Sequence, residues 1–152
     1  MKPFRFSLQT LYNHTEDREN EQQKKLAAID QRLRRKLTEI ESTEIKMAAL
    51  CRDFQLSMKK GGCVAGLQPF NERFSELRQV QLQQQAQAKT LEKEKEDCRQ
   101  VLIRLAREIQ ALDKLRDKQI SEYKVELARE EEKEIDDFVS FQQRQTLAVR
   151  GL

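Results

Sequence analysis

One histidine, three cysteines and scattered carboxylates are the residues of this sequence that could do chemistry. A nucleophile or a metal centre needs several such groups converging on one point. His14 has no cysteine or carboxylate at metal-ligand spacing beside it and reads as an exposed helix residue. Cys51, Cys63 and Cys98 are odd in number, widely separated and without a C-x-x-C, so neither a disulfide scaffold nor a zinc site is expected. Cys98 is expected to fill a core position as a small apolar residue, and Cys63 to be an exposed thiol at a turn. The acidic pairs, such as Asp136–Asp137, read as surface carboxylates without the burial that would tune them. The glycine-rich GGCVAG is not followed by Lys-Ser/Thr, so it does not read as a phosphate cradle. These residue types therefore predict no enzyme, no metal and no cofactor.

The elements that must carry these residues have an unusual punctuation. Three of the four glycines fall within residues 61–66, and Pro69 follows. Residues 4–60 and 70–150 contain neither glycine nor proline, the two strongest breakers of regular structure. Charged residues make up 36% of the 152, aromatics 6%, and tryptophan is absent. Glu, Lys, Arg, Gln, Leu and Ala dominate, all good helix formers. The reading is all-α: two long helices, residues 4–58 and 70–148, joined by a turn at 59–69 into one antiparallel coiled-coil hairpin spanning 1–152, the second helix longer. The net charge of +3 is small beside 29 basic and 26 acidic side chains, so no nucleic-acid partner is expected. The densest basic run, RLRRK at 32–36, reads as a solvated helix face. The longest apolar run, MAALC at 47–51, is too short to cross a bilayer, and MKPFRFSLQT has no signal-peptide core. A cytoplasmic protein is expected.

The order of the apolar residues separates a helix pair from disorder of the same composition. Leu26, Leu33, Ile40, Met47 and Phe54 recur every seventh residue as heptad a positions. The d positions, Ile29, Lys36, Thr43, Leu50 and Ser57, are mixed. Toward the N-terminus Leu8 and Tyr12 continue the stripe, but Thr15, Glu19 and Gln22 interrupt it as a polar gap. The second stripe runs from Phe70 and Phe74 through Leu77, Gln81, Gln84, Ala88, Leu91, Lys95, Cys98, Leu102, Leu105 and Ile109 to Leu112, where the strict spacing is expected to fade. Folding near residue 63 pairs Phe54 with Phe70 and Phe74, Met47 with Leu77, and Leu33 with Leu91. The glycines would let the backbone reverse.

Two features are left over. Leu105, Ile109 and Leu112 face the polar gap and have no apolar partner. The second helix also outruns the first by about 25 residues at 1.5 Å per residue, leaving Tyr123, Leu127, Ile135, Phe138 and Phe141 as an unpaired face. That stretch includes REEEKEIDD (129–137), with six acids against two bases. Both features read as partner surfaces.

The two ends of the chain resemble FliJ-family proteins. FRFSLQTLYNHTEDRENEQQKKLA (4–27) is similar to the family's opening, an F-x-F-x-L-x-x-L start leading into a charged helix. LDKLRDKQISEYKVELAREEEKEIDDF (112–138) is similar to its second block, which ends in an acidic Lys-Glu-[Ile/Leu]-Asp-[Asp/Glu] run. The resemblance implies a stalk protein of the bacterial flagellar type III export apparatus, cytoplasmic and peripheral at the inner membrane. Its partners would be the hexameric export ATPase, whose ring it enters and helps assemble, the membrane-embedded export gate, and export chaperones. It further implies that the end bearing the chain termini meets the ATPase, with Leu8, Leu11, Arg116, Asp136, Asp137 and Phe138 as candidate contacts. The gate contact would lie just after the turn, on Phe74 and Leu77, which the heptad register instead places in the seam; Phe70 is a further candidate. A generic scaffold coiled coil, or the equivalent stalk of a virulence secretion system, are the alternative readings.

Overall fold

The computed structural model describes residues 2–62 and 64–151. It is a hairpin of two helices: α1 (Gln9–Lys59) and the longer α2 (Leu67–Arg150), joined through a single 3-10 turn at Val64–Gly66. Cys63, and with it the expected exposed thiol and the centre of the bend, lies outside the described residues.

Both helices begin at places other than those the sequence suggested. α1 starts at Gln9, not residue 4. Its first turn is set where the Gln9 amide donates to Phe6 O at 3.2 Å and the Tyr12 amide to Leu8 O at 2.9 Å. Phe4 and Phe6 therefore precede the helix, and Phe6 is buried. α2 starts at Leu67, so Pro69 falls inside its first turn rather than before it. Proline is tolerated there because the first amides of a helix have no intrahelical acceptor to lose.

α1 ends in a Schellman arrangement. The Gly62 amide donates to Ser57 O at 3.0 Å and the Gly61 amide to Met58 O at 3.3 Å, satisfying carbonyls the helix would leave open. Gly61 has φ 87°, the left-handed conformation that side chains resist. Gly62 is needed for a different reason: a Cβ there would stand 2.7 Å from Ser57 O.

The chain divides into two compact units, Glu19–Arg104 and Met1–Arg18 with Leu105–Leu152. In the first, both strands of the hairpin bury every third and fourth residue. Leu33 and Met47 are buried on α1, and Ala88 and Cys98 on α2. Phe54 and Phe70 do meet, stacked with ring centroids 4.2 Å apart, and Phe74 stacks on Phe70 at 5.7 Å. The polar seam positions are satisfied rather than empty. The Thr43 hydroxyl lies 2.9 Å from Gln84 Oε1 and 3.0 Å from Glu39 O. Gln81 accepts from Arg78 at 2.9 Å and donates to Glu44 at 3.4 Å. Cys98, buried as expected, directs its thiol at Gln22 O, 3.4 Å away. Among the described residues no buried side-chain nitrogen or oxygen lacks a partner. Each such pair forms in one register only, because sliding the helices would strand buried polar groups.

Asp30 is the clearest electrostatic example. It accepts from Lys95 Nζ at 2.8 Å across the hairpin and from Arg34 at 3.0 Å along α1. The hydrogen bond from Lys95, helped by the charges of Arg34 and Arg99, holds its carboxyl below the ordinary range despite partial desolvation. A depressed folded-state pKa means stabilisation that is present above the unfolded value, about 4, and lost as pH falls through the folded value. Asp30→Asn should therefore lower the melting temperature at pH 7, and the difference from the parent protein should vanish in acid. Paired melts at pH 7 and at about pH 2.5 measure this.

In the second unit the apolar patch around Leu105 is not left over. Leu105 is only 2% exposed, and Thr15 is likewise 2% exposed. The Thr15 hydroxyl bonds Leu11 O at 2.9 Å, so its polar atom is spent on its own helix and its methyl group is free to pack. A residue that reads as polar thus behaves as a small apolar one. Glu19 and Gln22 are themselves half-buried, as expected of long side chains whose stems cover apolar surface. Beyond Leu112 the face stays inward while the strict spacing fades, as expected. Arg116, Gln119, Ile120, Tyr123 and Leu127 are all half-buried. Two successive four-residue steps, Gln119 to Tyr123 to Leu127, break the heptad count while keeping one face inward.

Candidate functional site

The terminal unit is held by a clasp of the non-helical N-terminal segment on α2. Phe4 packs on the Tyr123 ring with centroids 5.6 Å apart, and the Tyr123 hydroxyl donates to Lys2 O at 2.9 Å. Ser7 and Gln119 exchange side-chain hydrogen bonds at 3.2–3.4 Å. The Arg116 guanidinium lies 5.3 Å from the centroid of the Tyr12 ring and bonds Asp113 at 3.2 Å. Desolvation and the Asp113 carboxylate raise the Tyr12 phenol above its ordinary range, opposed by Arg116. This segment precedes α1 and presents the Phe4 ring to α2.

Beyond Leu127 the character of α2 changes. Every residue from Ala128 to Gly151 is exposed. Continued from Leu127 in steps of three and four, the seam would pass through Glu130, Glu134 and Asp137, so the inward stripe turns polar. The apolar residues move to neighbouring positions: Ile135 and Phe138 are 62% and 60% exposed, and Val139, Phe141, Leu147 and Val149 are exposed beside them. Glu130, Glu131, Glu132, Glu134, Asp136 and Asp137 surround the start of this face. The phenylalanines of this acidic helix are exposed and belong to no core among the described residues.

The six candidate ATPase contacts all fall in this unit, in two places. Leu8 and Arg116 are half-buried within the clasp, and Leu11 is exposed on the first turns of α1. Asp136, Asp137 and Phe138 lie on the exposed tail helix. The three candidate gate residues, Phe70, Phe74 and Leu77, fall in the other unit and are half-buried. Phe70 is no freer than Phe74, since it stacks on both Phe54 and Phe74. Sequence reasoning passed over Leu56, Met58 and Leu67, three exposed apolar residues flanking the turn. Leu56 could have been found, because it falls on neither an a nor a d position. Leu67 could not, because its spacing from Phe70 and Phe74 mimics a seam residue.

No group of three or more His, Cys, Asp or Glu able to hold a metal is present among the described residues. His14 is exposed. Among the described residues no helix is long and apolar enough to cross a membrane.

The family model for the flagellar FliJ protein matches residues 4–147, which takes in the clasp, the hairpin and most of the tail helix. The chain belongs to the FliJ family. Comparison with curated proteins and with solved structures found no match. FliJ-family membership makes the chain a component of the flagellar export apparatus, in a family of structural stalk proteins rather than enzymes.

Proposed function

We propose that this chain is the stalk that binds the export ATPase and promotes assembly of its hexameric ring, meets the membrane export gate through its other unit, and escorts export chaperones at the cytoplasmic face of the inner membrane. The observation that carries the reading is the tail helix, where every residue from Ala128 to Gly151 is exposed and Ile135 and Phe138 stand uncovered among acids. An isolated helix with an uncovered apolar face gains little in water and is best accounted for by a partner. The unit that holds both chain termini also holds this tail, as a stalk entering a ring by its terminal end requires.

On this reading Asp136, Asp137 and Phe138 are the main ATPase contacts, supported by Leu11 and by the clasp residues Leu8 and Arg116. The gate contact falls on the half-exposed edges of Phe70, Phe74 and Leu77.

Pull-down with the purified export ATPase at modest salt, together with its rate of ATP hydrolysis, tests the proposal. The parent chain should bind and raise turnover. Asp136→Ala/Asp137→Ala should weaken binding about five- to tenfold without loss of helicity, as expected for charges at the edge of an interface. A double variant that stimulates hydrolysis fully would remove the acidic pair from the surface. A parent chain that neither binds nor changes turnover would favour a scaffold role.

A further inference from the structure

A groove runs along the hairpin of the Glu19–Arg104 unit. Arg32, Arg35, Lys36 and Glu39 line it from α1, and Thr90 and Leu91 from α2. Its charge is unbalanced. Glu39 is engaged by Lys36 at 2.8 Å. Arg32 and Arg35 are exposed and form no ion pair among the described residues. The half-buried Leu91 and the stems of the two arginines give the groove an apolar floor under a cationic rim. The ligand it fits is an apolar ridge flanked by carboxylates.

The tail helix carries such a ridge. Glu131, Glu134, Ile135 and Phe138 line one surface of α2, at the three- and four-residue spacings that place side chains on a common face. We propose that the tail ridge of one copy of this chain docks in the basic groove of a second copy. Ile135 and Phe138 lie against Leu91 and the arginine stems, and Glu131 and Glu134 face Arg32 and Arg35. The occupant is a second copy because this chain's own ridge offers what the groove fits, an apolar pair flanked by carboxylates for an apolar floor under a cationic rim. Each copy has one ridge and one groove, so two copies can satisfy each other reciprocally. The contact needs no ATPase, and its test uses the chain alone.

Sedimentation of the full chain between about 1 and 100 µM should show reversible association, weakened about tenfold or more between 50 and 500 mM salt, roughly as screening of rim charges requires. Arg32→Glu/Arg35→Glu and Glu131→Lys/Glu134→Lys should each weaken self-association at least about tenfold. Mixing the two reversed chains should restore association, since each then offers a ridge complementary to the other's groove. All four positions are exposed, so helicity by circular dichroism should be unchanged. Arg32→Gln/Arg35→Gln gives a milder form of the same loss. A chain that stays monomeric across the range, association that ignores the reversals, or a mixture that fails to associate would each overturn the proposal.

Discussion

Leu105→Ala should destabilise the protein by about 2–3 kcal/mol and lower its melting temperature by about 5–10 °C. Leu105 is the largest fully buried side chain among the described residues, 2% exposed. Truncating a buried leucine forfeits its transfer free energy and leaves a cavity, with losses of about 2–5 kcal/mol depending on how far the surroundings collapse. A two-helix seam has solvent on both sides and can close partly, which favours the lower end of that range. Ile103→Ala, two residues away but 45% exposed, should stay within about 0.5 kcal/mol of the parent. The comparison also decides between two meanings of the Leu105–Leu112 run. If Leu105 belongs to the protein's own core, alanine costs stability whether or not a partner is present. If it were a partner surface, alanine would leave the melt unchanged and weaken only binding.

That distinction marks where the sequence stopped being informative. The seam was readable because apolar residues at three- and four-residue steps have few explanations other than a helix face. The pairing of Phe54 with Phe70 followed from placing the bend in the only glycine cluster. The value of polar seam residues was not readable. Thr15 looked like a break, yet its hydroxyl is consumed by Leu11 O and its methyl group is buried. Arg116 reads as a charged residue beyond the strict stripe, yet it is half-buried and lies over Tyr12. In both cases one letter stands for a side chain with an apolar part and a polar part, and the tertiary partner decides which faces inward. The clasp was hidden for another reason: Tyr123 bonds the main-chain carbonyl of Lys2, and a carbonyl has no signature in sequence. The candidate site was legible only in outline. An uncovered acidic helix does not say what covers it, and the family match over residues 4–147 places the chain in the export apparatus without naming a contact.

The turn supplies the other large effect. In about 500 mM salt, where tail-to-groove contact between copies is weakened, Gly61→Ala/Gly62→Ala should convert the hairpin into an extended chain that pairs with a second copy, seen by light scattering as a dimer that resists salt, with helicity kept or raised. Alanine at Gly61 must adopt φ near 87°, at a cost of about 1–2 kcal/mol. At Gly62 its Cβ would meet Ser57 O at 2.7 Å, and that oxygen is backbone, unable to swing aside. The Schellman bonds from both amides fail together, and with them the stop signal of α1. Alanine is the best helix former, so α1 has a driving force to continue through the turn toward α2. The seam then loses its partner within the chain but finds an identical one in another molecule, the exchange that strained hinge turns invite. Gly66→Ala is the internal control. A Cβ there meets nothing within 4 Å and its φ is not positive, so in the same salt alanine should leave the parent's association unchanged and its stability equal or slightly higher. A double variant that remained a monomer with an unchanged melt would mean that the reversal is set by the stacked Phe54 and Phe70 and not by the glycines.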